Sequence, residues 1–228
     1  MIIWLASGNK HKQQELAAIL ENHTVKLPAE AEINDFDPEE NGASFAENAL
    51  IKARTLYTML YKRNNSPPDP VLADDSGLCV DALGGRPGIY SARYFGKNSW
   101  NADGSFKAES LPQKKLLEKE QNLLLLEELY GNIQQSNSNS IPAVNKKCRF
   151  VCAMVLLFSP DRFFLIQETL EGEIVSSASD IKGAGGFGYD PVVYLPELGR
   201  TVAELSEDEK NKLSHRGKAG KAIAKLLC

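Results

Sequence analysis

Two adjacent carboxylates, Asp74 and Asp75, lie inside an otherwise apolar stretch that runs from Val71 to Asp81. The residues before the pair predict the end of a buried strand, and Leu78 to Val80 predict that the extended backbone resumes. We expect the Ser76-Gly77 dipeptide to turn the chain between these segments. Because side chains alternate faces along extended backbone, the two carboxylates should point in opposite directions.

This carboxylate pair supports two interpretations. A pair at a strand end is a common place to hold a divalent metal. Asp-Ser-Gly is also ordinary turn chemistry, so a polar turn between two strands fits the same residues. The stretch alone does not decide between them.

Length, charge and cysteine content bound the class of protein. A chain of 228 residues is long enough for one large domain or two small lobes with a sizeable core. The net charge of −4 and the pI of about 5.5 argue against broad binding to nucleic acid, although they leave room for a local basic pocket. The four cysteines have no Cys-x-x-Cys spacing, which argues against a structural zinc site.

Targeting signals are absent from the sequence pattern. Met1 to Ser7 do not combine a basic region, an apolar core and a cleavage site, so we expect no signal peptide. No apolar run approaches the ~20 residues that a membrane-spanning helix needs. We therefore expect a cytoplasmic protein with reduced thiols and no membrane partner.

A candidate phosphate-binding loop follows the first predicted strand, Ile2 to Ala6. The segment from Ser7 to Lys12 contains a hydroxyl, a glycine and two lysines, and helical spacing follows it. A strand, a turn and a helix start in this order present free backbone N–H groups to an anion. A helix cap with solvated lysines is the alternative, and no Walker motif is present.

Helical patterns occupy three further parts of the chain. Ser44 and Glu47 match a capping box at the start of a helix. Lys52 on this helix could reach a phosphate, although an exposed helical lysine is usually only solvated. Leu111 to Tyr130 has a strong apolar face, and Gly217 to Leu227 predicts a terminal helix.

A low-complexity segment, Gly131 to Lys147, cannot bury enough apolar surface to offset its ordering entropy, so we expect a mobile insertion there. Two strand-like runs follow, Arg149 to Phe158 and Arg162 to Leu170, and a short turn predicts that they form a hairpin. Glu171 to Val175 are expected to extend this antiparallel unit.

A glycine-rich loop, Lys182 to Pro191, contains Gly-x-Gly-x-x-Gly spacing but is not a dinucleotide fingerprint. No strand of a βαβ unit precedes it, and no helix follows it. With Phe187 and Tyr189 the loop is suited to stacking on a flat ligand, and a β-turn with core aromatics is the alternative. The cluster Ser214-His215-Arg216 is equally compatible with a helix cap and a ligand site.

Four separated stretches, taken together, resemble the inosine triphosphate pyrophosphatase family, which hydrolyses non-standard purine nucleoside triphosphates. The match follows the order of the chain over nearly its whole length, and only residues from about 96 to 147 look divergent. The stretches are Ser7-Gly8-Asn9-x-x-Lys12; Phe45-x-Glu47-Asn48-Ala49-x-x-Lys52-Ala53; Ala73-Asp74-Asp75-Ser76-Gly77-Leu78 continuing to Ser91-Ala92-Arg93-Tyr94; and Gly186-Phe187-Gly188-Tyr189-Asp190-Pro191 with Ser214-His215-Arg216-Gly217-Lys218-Ala219.

The resemblance implies an α/β fold with a long mixed β-sheet and flanking helices. It implies a single domain over residues 1–228, with two lobes around a central cleft, usually as a homodimer. The implied reaction is Mg²⁺-dependent hydrolysis of dITP, ITP, XTP or dXTP to the monophosphate and pyrophosphate.

The same resemblance implies roles for individual residues. Asp75 is the implied catalytic carboxylate, and Glu39 and Asp75 are the implied metal ligands, although Glu40 adjoins Glu39 in a loosely patterned stretch. The implied phosphate and substrate contacts are Ser7, Gly8, Asn9, Lys10, His11, Lys12, Lys52 and Ser76. The implied nucleobase site comprises Phe187, Gly188, Tyr189, Asp190, Lys210, His215 and Arg216.

Elementary chemistry fits these roles. We hypothesise that Asp75 orients or deprotonates the water that attacks the α-phosphorus, while metal and lysines stabilise the developing charge. Arg216 is a donor-only side chain, and with His215 it could bond the 6-oxo group of hypoxanthine or xanthine but not the amino group of adenine. Asp74 is then expected to support the turn or the surroundings of the metal ligands.

Three rival functions remain open on the sequence. One is a related pyrophosphatase with another base preference, such as one for modified pyrimidines. Another is a non-catalytic nucleotide-binding module, against which the carboxylates at 39, 74 and 75 count. A hydrolase using Ser76, His215 and Asp190 is the third, but Ser76 lacks the Gly-x-Ser-x-Gly elbow.

Overall fold

A computed structural model describes residues 1–107, 116–131, 144–183, 186 and 188–227. Seven strands and five α-helices are formed by these residues. The strands are β1 (Ile2–Leu5), β2 (Thr24–Lys26), β3 (Val71–Val80), β4 (Lys147–Ser159), β5 (Arg162–Ile174), β6 (Val193–Leu195) and β7 (Arg200–Thr201). The helices are α1 (Lys10–Ile19), α2 (Phe45–Asn64), α3 (Glu118–Tyr130), α4 (Glu207–Leu213) and α5 (His215–Ala224).

The seven strands form one mixed sheet in the order β2-β1-β3-β4-β5-β6-β7. β1 pairs in parallel with both β2 and β3, whereas β6 pairs antiparallel with β5 and β7. The predicted α/β fold with a long mixed sheet and flanking helices is confirmed. In the β1–β3 register Leu5 pairs with Leu72, so the loop that leaves β1 begins beside the approach to the two carboxylates of β3.

The predicted turn at Ser76 and Gly77 is wrong, because β3 is one unbroken strand of ten residues. Both residues lie within its ladder, and β3 has β1 and β4 as neighbours in the sheet. Short-range turn preferences are overridden when a strand is paired on both sides. Nearly all of β3 is buried, including Asp74 and Asp75.

The chain divides into two compact units. Unit 1 comprises residues 1–76, 151–170 and 211–228, and unit 2 comprises residues 77–150 and 171–210. In unit 1, α1 and α5 contact each other and cover a core of sheet residues. Its fully buried members include Leu5, Leu16, Met154 and Ile223. The apolar face of α2 is also buried, which agrees with its predicted helical period.

In unit 2, α3 packs around Tyr94, which is only 1% exposed. The Tyr94 hydroxyl donates to Glu128 at 2.7 Å, and the Gln121 side chain donates to the Tyr94 carbonyl at 3.0 Å. Two residues of α3 therefore hold Tyr94, one at its side-chain hydroxyl and the other at its backbone carbonyl. Tyr90 stacks on Phe106 with ring centroids 4.1 Å apart, which orders the loop after β3.

Three further predictions concerned the helix from Leu111, the hairpin of β4 and β5, and the insertion over residues 131–147. The helix predicted from Leu111 begins at Glu118, and the Glu120 side chain accepts from the Leu117 backbone N–H at 2.7 Å at this start. The strands β4 and β5 are adjacent in the sheet, as the predicted hairpin requires, and β5 continues to Ile174. The insertion predicted over residues 131–147 lies largely outside the described residues, as do residues 111–115.

None of the described helices is both long enough and apolar enough to cross a membrane.

Candidate active site

The loop after β1 is a helix cap with a lysine directed at the sheet. Asn9 caps α1, and its side-chain oxygen accepts from the backbone N–H groups of His11 and Lys12 at 2.9 and 3.3 Å. The Asn9 backbone N–H donates to the Ser7 hydroxyl at 3.1 Å. The capping alternative from the sequence is therefore correct for Asn9, while phosphate binding by this loop stays a prediction.

Asp74 lies at the centre of a buried ionic network on one face of β3. Its carboxylate accepts from Lys12 Nζ at 2.9 Å and from Arg216 Nε at 3.2 Å, and the side chain is 1% exposed. Burial by itself raises the pKa of Asp74, but Lys12 and Arg216 outweigh burial and hold that pKa well below its usual range. The two cations therefore face a fully ionised carboxylate.

Arg216 uses the rest of its guanidinium within the same network. Nη1 donates to Glu15 at 2.8 Å and Nη2 donates to the Ser76 hydroxyl at 3.1 Å. Arg216 thus connects α5 to α1 and to β3, all within unit 1. Its proposed contact with the nucleobase stays a prediction. The contact with Ser76 argues against Ser76 as a nucleophile, because a nucleophilic serine needs a base beside its hydroxyl and Arg216 is a donor-only side chain.

Asp75 occupies the opposite face of β3, as the alternation of the strand predicts. Lys52 Nζ donates to its Oδ1 at 2.7 Å, and Asn48 Nδ2 lies 3.4 Å from its Oδ2. The Asn48 oxygen in turn accepts from the Gly42 backbone N–H at 2.9 Å, which orients the amide. Helix α2 therefore supplies both partners of Asp75 from positions one turn apart, 48 and 52.

The charges around Asp75 have opposing effects on proton affinity. Burial raises the pKa of Asp75 above its usual value, and Lys52 offsets part of that rise. Burial alone lowers the pKa of Lys52, but Asp75, Asp74 and Glu40 together raise it. Lys52 is therefore a buried ammonium rather than the solvated helical lysine of the alternative interpretation; its side chain is 9% exposed.

The acidic stretch before α2 contributes Glu40 to this group. Glu40 Oε1 lies 3.1 Å from Lys52 Nζ, so one ammonium lies within ion-pair distance of both Glu40 and Asp75. Glu39, the metal ligand implied by the resemblance, is exposed. The structure thus brings Glu40 to the ion pair between Lys52 and Asp75. The sequence pattern could not choose between Glu39 and Glu40, because the loop follows neither a helical nor a strand period.

This donor set fits Mg²⁺. Two carboxylates close enough to share one cation match the preference of Mg²⁺ for one or two carboxylates, with water and phosphate oxygens completing six ligands. Among the described residues no cluster of three or more His, Cys, Asp or Glu side chains could hold a metal by itself. The site is suited to a metal that arrives with a phosphorylated substrate.

The candidate nucleobase residues of unit 2 are held from several sides. The Tyr189 hydroxyl donates to the Ser91 carbonyl at 2.8 Å, and Tyr189 is 5% exposed, so it is a core aromatic and not an open stacking surface. Lys210 Nζ donates to the Asp190 carboxylate at 2.6 Å. Phe187 lies outside the described residues.

A residue that sequence reasoning missed supports this loop. Asn122 on α3 is 2% exposed, and its Nδ2 donates to the Gly188 carbonyl at 3.1 Å. Gly188 has a positive φ of 66°, a conformation that glycine adopts without strain. The only signal in the sequence was an asparagine inside a leucine-rich helix.

His215 is buried at the start of α5, where the Ser214 hydroxyl accepts from the Gly217 N–H at 2.9 Å. The helix-cap interpretation of the Ser214-His215-Arg216 cluster is therefore correct for Ser214. The same start of α5 delivers Arg216 to the ionic network. The three consecutive residues 214–216 thus contain both the cap of α5 and a member of the ionic network around Asp74.

Comparisons with known proteins identify the family of this chain. The family model of the Ham1 family matches residues 3–226. A protein of Treponema denticola named dITP/XTP pyrophosphatase is 42% identical over 227 residues, which is 100% of this chain and 98% of that protein. Two solved Ham1 protein structures, from Staphylococcus aureus and Coxiella burnetii, are each 32% identical, with TM-scores of 0.72 and 0.73; both matches cover 100% of this chain and 98% of the solved chain.

Proposed function

Because this chain belongs to the Ham1 family, we propose that it hydrolyses dITP, ITP, XTP and dXTP to the monophosphate and pyrophosphate. The relative from Treponema denticola carries the name dITP/XTP pyrophosphatase. The observation that carries the proposal is the buried arrangement of Asp75 with Lys52, Asn48 and Glu40. Removing non-standard purines in this way would cleanse the nucleotide pool.

Asp75 is the proposed general base. Its Oδ1 is held by Lys52 and its Oδ2 by Asn48, so the carboxylate is oriented before a substrate arrives. Burial raises the pKa of Asp75, which strengthens its hold on a proton taken from water. The attacking water then forms a bond to the α-phosphorus, and pyrophosphate leaves.

Glu40 and Asp75 are the proposed ligands of Mg²⁺. Glu40 takes the place of Glu39 in this proposal because Glu40 lies 3.1 Å from the Lys52 ammonium that also contacts Asp75. When bound, Mg²⁺ supplies positive charge that neutralises phosphate oxygens. Lys52 adds a fixed ammonium beside the same carboxylates. Ser7, Gly8, Asn9, Lys10, His11 and Lys12 are proposed to hold the remaining phosphates through backbone N–H groups and side-chain donors.

Purine recognition is proposed for Gly188, Asp190 and Lys210, with the buried Tyr189 supporting their loop from the core. Phe187, His215 and Arg216 are proposed for the same role because the resemblance implies it. Lys210 is a donor-only side chain fixed by Asp190 at 2.6 Å. A fixed donor pairs with a 6-oxo group and leaves an adenine amino group unmatched. Arg216 is already engaged by Asp74 and Glu15, so any contact with the base requires a donor that remains free on the same guanidinium.

We also propose that the protein acts as a homodimer in the cytoplasm. The three described cysteines are free thiols, which agrees with a reducing compartment.

Pyrophosphate release from dITP, XTP, ATP and GTP, with Mg²⁺ and with a chelator, tests the proposed activity. We expect rapid release from dITP and XTP, slow release from ATP and GTP, and loss of all release with the chelator. Nucleotide binding without release would identify a non-catalytic module instead. Preference for a modified pyrimidine triphosphate in the same assay would identify the related pyrophosphatase.

A further inference from the structure

Ser91 is a buried serine in a stretch, Ser91 to Tyr94, that takes no part in the proposed chemistry. It lies in a short 3₁₀ helix, Gly88–Arg93, and is 6% exposed. The Ser91 hydroxyl donates to the Gly88 carbonyl at 2.6 Å, and this bond orients the hydroxyl oxygen as an acceptor for another group. Ser91 is therefore a fixed acceptor within unit 2.

The Ser91 hydroxyl takes the place of a strand partner on β3. β1 pairs with the first part of β3, at Val71 and Leu72. Further along the strand, the Leu78 backbone N–H donates to the Ser91 hydroxyl at 2.9 Å. A buried backbone N–H needs an acceptor, and Leu78 is fully buried. Ser91 thus contacts β3 at a point three residues after Asp75.

The Ser91 carbonyl contacts the candidate nucleobase residues through Tyr189. We call Gly188-Tyr189-Asp190 the base loop. The Tyr189 hydroxyl donates to the Ser91 carbonyl at 2.8 Å, and both residues are buried. Burial raises the pKa of Tyr189, so the phenol stays protonated and remains a donor. One residue therefore holds β3 with its hydroxyl and the base loop with its carbonyl.

The base loop depends on contacts with other parts of the chain for a single conformation. Gly188 has a positive φ of 66°, and glycine loses more conformational entropy on ordering than any other residue. Asn122 donates to the Gly188 carbonyl at 3.1 Å, and Lys210 donates to the Asp190 carboxylate at 2.6 Å. The contact with Ser91 adds a third anchor, and this one leads to β3.

We propose that Ser91 is a positioning residue for purine recognition, which anchors the base loop through Tyr189 to the strand that carries Asp75. This inference rests on the proposed function, because it concerns the same base loop. A fixed loop holds Lys210 through Asp190 in one direction, where a 6-oxo group accepts its proton and an adenine amino group does not. Without the anchor the donor would turn away, and the two kinds of purine would bind more equally.

Two variants of the same shape test the hydroxyl of Ser91. Ser91→Thr keeps the hydroxyl and Ser91→Val replaces it with a methyl group, so the effect of the added carbon is common to both. Isothermal titration calorimetry with a chelator measures the dissociation constants for dITP and dATP without the proposed Mg²⁺-dependent turnover. We expect Ser91→Val to bind dITP about fivefold more weakly than Ser91→Thr does, as for one lost hydrogen bond, with the dATP constants equal within about twofold.

Tyr189→Phe tests the contact with the Ser91 carbonyl, because it removes the donor and keeps the ring. The dissociation constant for dITP should again rise about fivefold. Tyr194→Phe, a half-buried residue of β6, is the matched control and should leave the constant unchanged. Combining Tyr189→Phe with Ser91→Val should weaken dITP binding by much less than the product of the two effects, because both changes break the same connection.

Three outcomes would overturn the proposal. A purely structural role would lower the melting temperature of the Ser91→Val and Tyr189→Phe proteins and leave the ratio of the dATP and dITP constants unchanged. Effects that multiply in the double variant would show that Ser91 and Tyr189 act separately. An unmodified protein that binds no dITP has no base loop to position.

The proposed hydrolysis is tested apart from this anchor. Pyrophosphate release with Mg²⁺ is measured on the same samples, whereas the proposal for Ser91 is decided by dissociation constants measured without Mg²⁺. Shifted binding ratios in a protein that releases no pyrophosphate would refute the hydrolysis and support the anchor. Release with unchanged ratios would do the reverse.

Discussion

Asp74 and Asp75 are neighbours in sequence with different physical surroundings. Asp74 is balanced by Lys12 and Arg216, and Asp75 by Lys52 with Asn48. Both are buried, so each needs its own partners to stay charged. Two substitutions of the same kind should therefore have different consequences.

Asp75→Asn should lower the turnover of dITP by a factor of about 10² or more while the fold is kept. The amide cannot accept a proton from water, yet it has the shape of the carboxylate. Pyrophosphate release measures the loss, and circular dichroism checks the fold. Asp69→Asn, an exposed residue just before β3, is the matched control, and turnover equal to that control would remove Asp75 from the catalytic role.

Asp74→Asn should instead lower the free energy of unfolding by about 3 kcal/mol, because it leaves the largely buried Lys12 without its carboxylate partner and leaves Arg216 with Glu15 as its counter-charge. Lys12 and Arg216 side chains are only 18% and 12% exposed. Urea unfolding measures the change, with Asp35→Asn as an exposed control. A stability equal to that of the control would show that the network around Asp74 has little energetic weight.

The same pair shows what a sequence can and cannot predict at this scale. Alternation along the strand was enough to separate the faces of Asp74 and Asp75. Sequence patterns could not predict the contacts of Glu40, Asn48 and Asn122, because each of these residues contacts a segment distant from it along the chain. Only the folded chain brings position 40 to position 52, or position 122 to position 188.

At the scale of elements, α3 is expected to act on substrate binding through Asn122. Asn122→Ala removes the donor to the Gly188 carbonyl and frees the loop that precedes Asp190. The loss of one hydrogen bond predicts an increase of about fivefold in KM for dITP with little change in kcat. Glu127→Ala, exposed on the same helix, should change neither constant. A fall in kcat with KM unchanged would contradict this positioning role.

Helix α4 should depend on pH through its cap. Glu209 accepts from the Ser206 N–H at 2.9 Å and pairs with Arg200, and these contacts lower the pKa of Glu209 to about 2. A lowered pKa means that the cap stabilises the helix above the unfolded value of about 4.5 and is lost as the pH falls toward 2. The protection factor of the Ser206 amide, taken relative to its intrinsic exchange rate at each pH, should fall over that window.

Glu209→Gln should remove this acid-dependent loss of protection, because the amide does not titrate. Glu207→Gln, in the first turn of the same helix, should leave it in place. An identical pH profile in the Glu209→Gln and unmodified proteins would assign the effect to another group.

Helix starts were predictable where the cap lies within a few residues. The Ser44 hydroxyl accepts from the Glu47 N–H at 3.2 Å at the start of α2, as the capping box predicted. The continuity of β3 was not predictable in this way. It is imposed by strands that lie far away in sequence. The start of α3 at Glu118 was not predicted by its leucine period either, and Leu117 just before it is 65% exposed.

For the whole molecule, the order of motifs was more informative than any one of them. Each motif alone was compatible with a turn, a cap or a core residue, and several of those simpler interpretations are correct, as for Asn9, Ser214 and Tyr189. Their shared order along the chain carried the resemblance, and the resemblance implied the mixed sheet.

Because Asp74 and Asp75 are adjacent on the unbroken strand β3, inserting one residue into this strand and deleting one residue from it should have different effects. One residue inserted before Ala73 would move Asp74 to the place of Asp75 and leave Ala73 facing Lys12 and Arg216. One residue deleted there would move Asp75 to the buried cations and offer Ser76 to Lys52. The insertion should thus be recovered as misfolded protein, and the deletion as folded protein without turnover. A single glycine added after Asp103, in an exposed turn, should do neither.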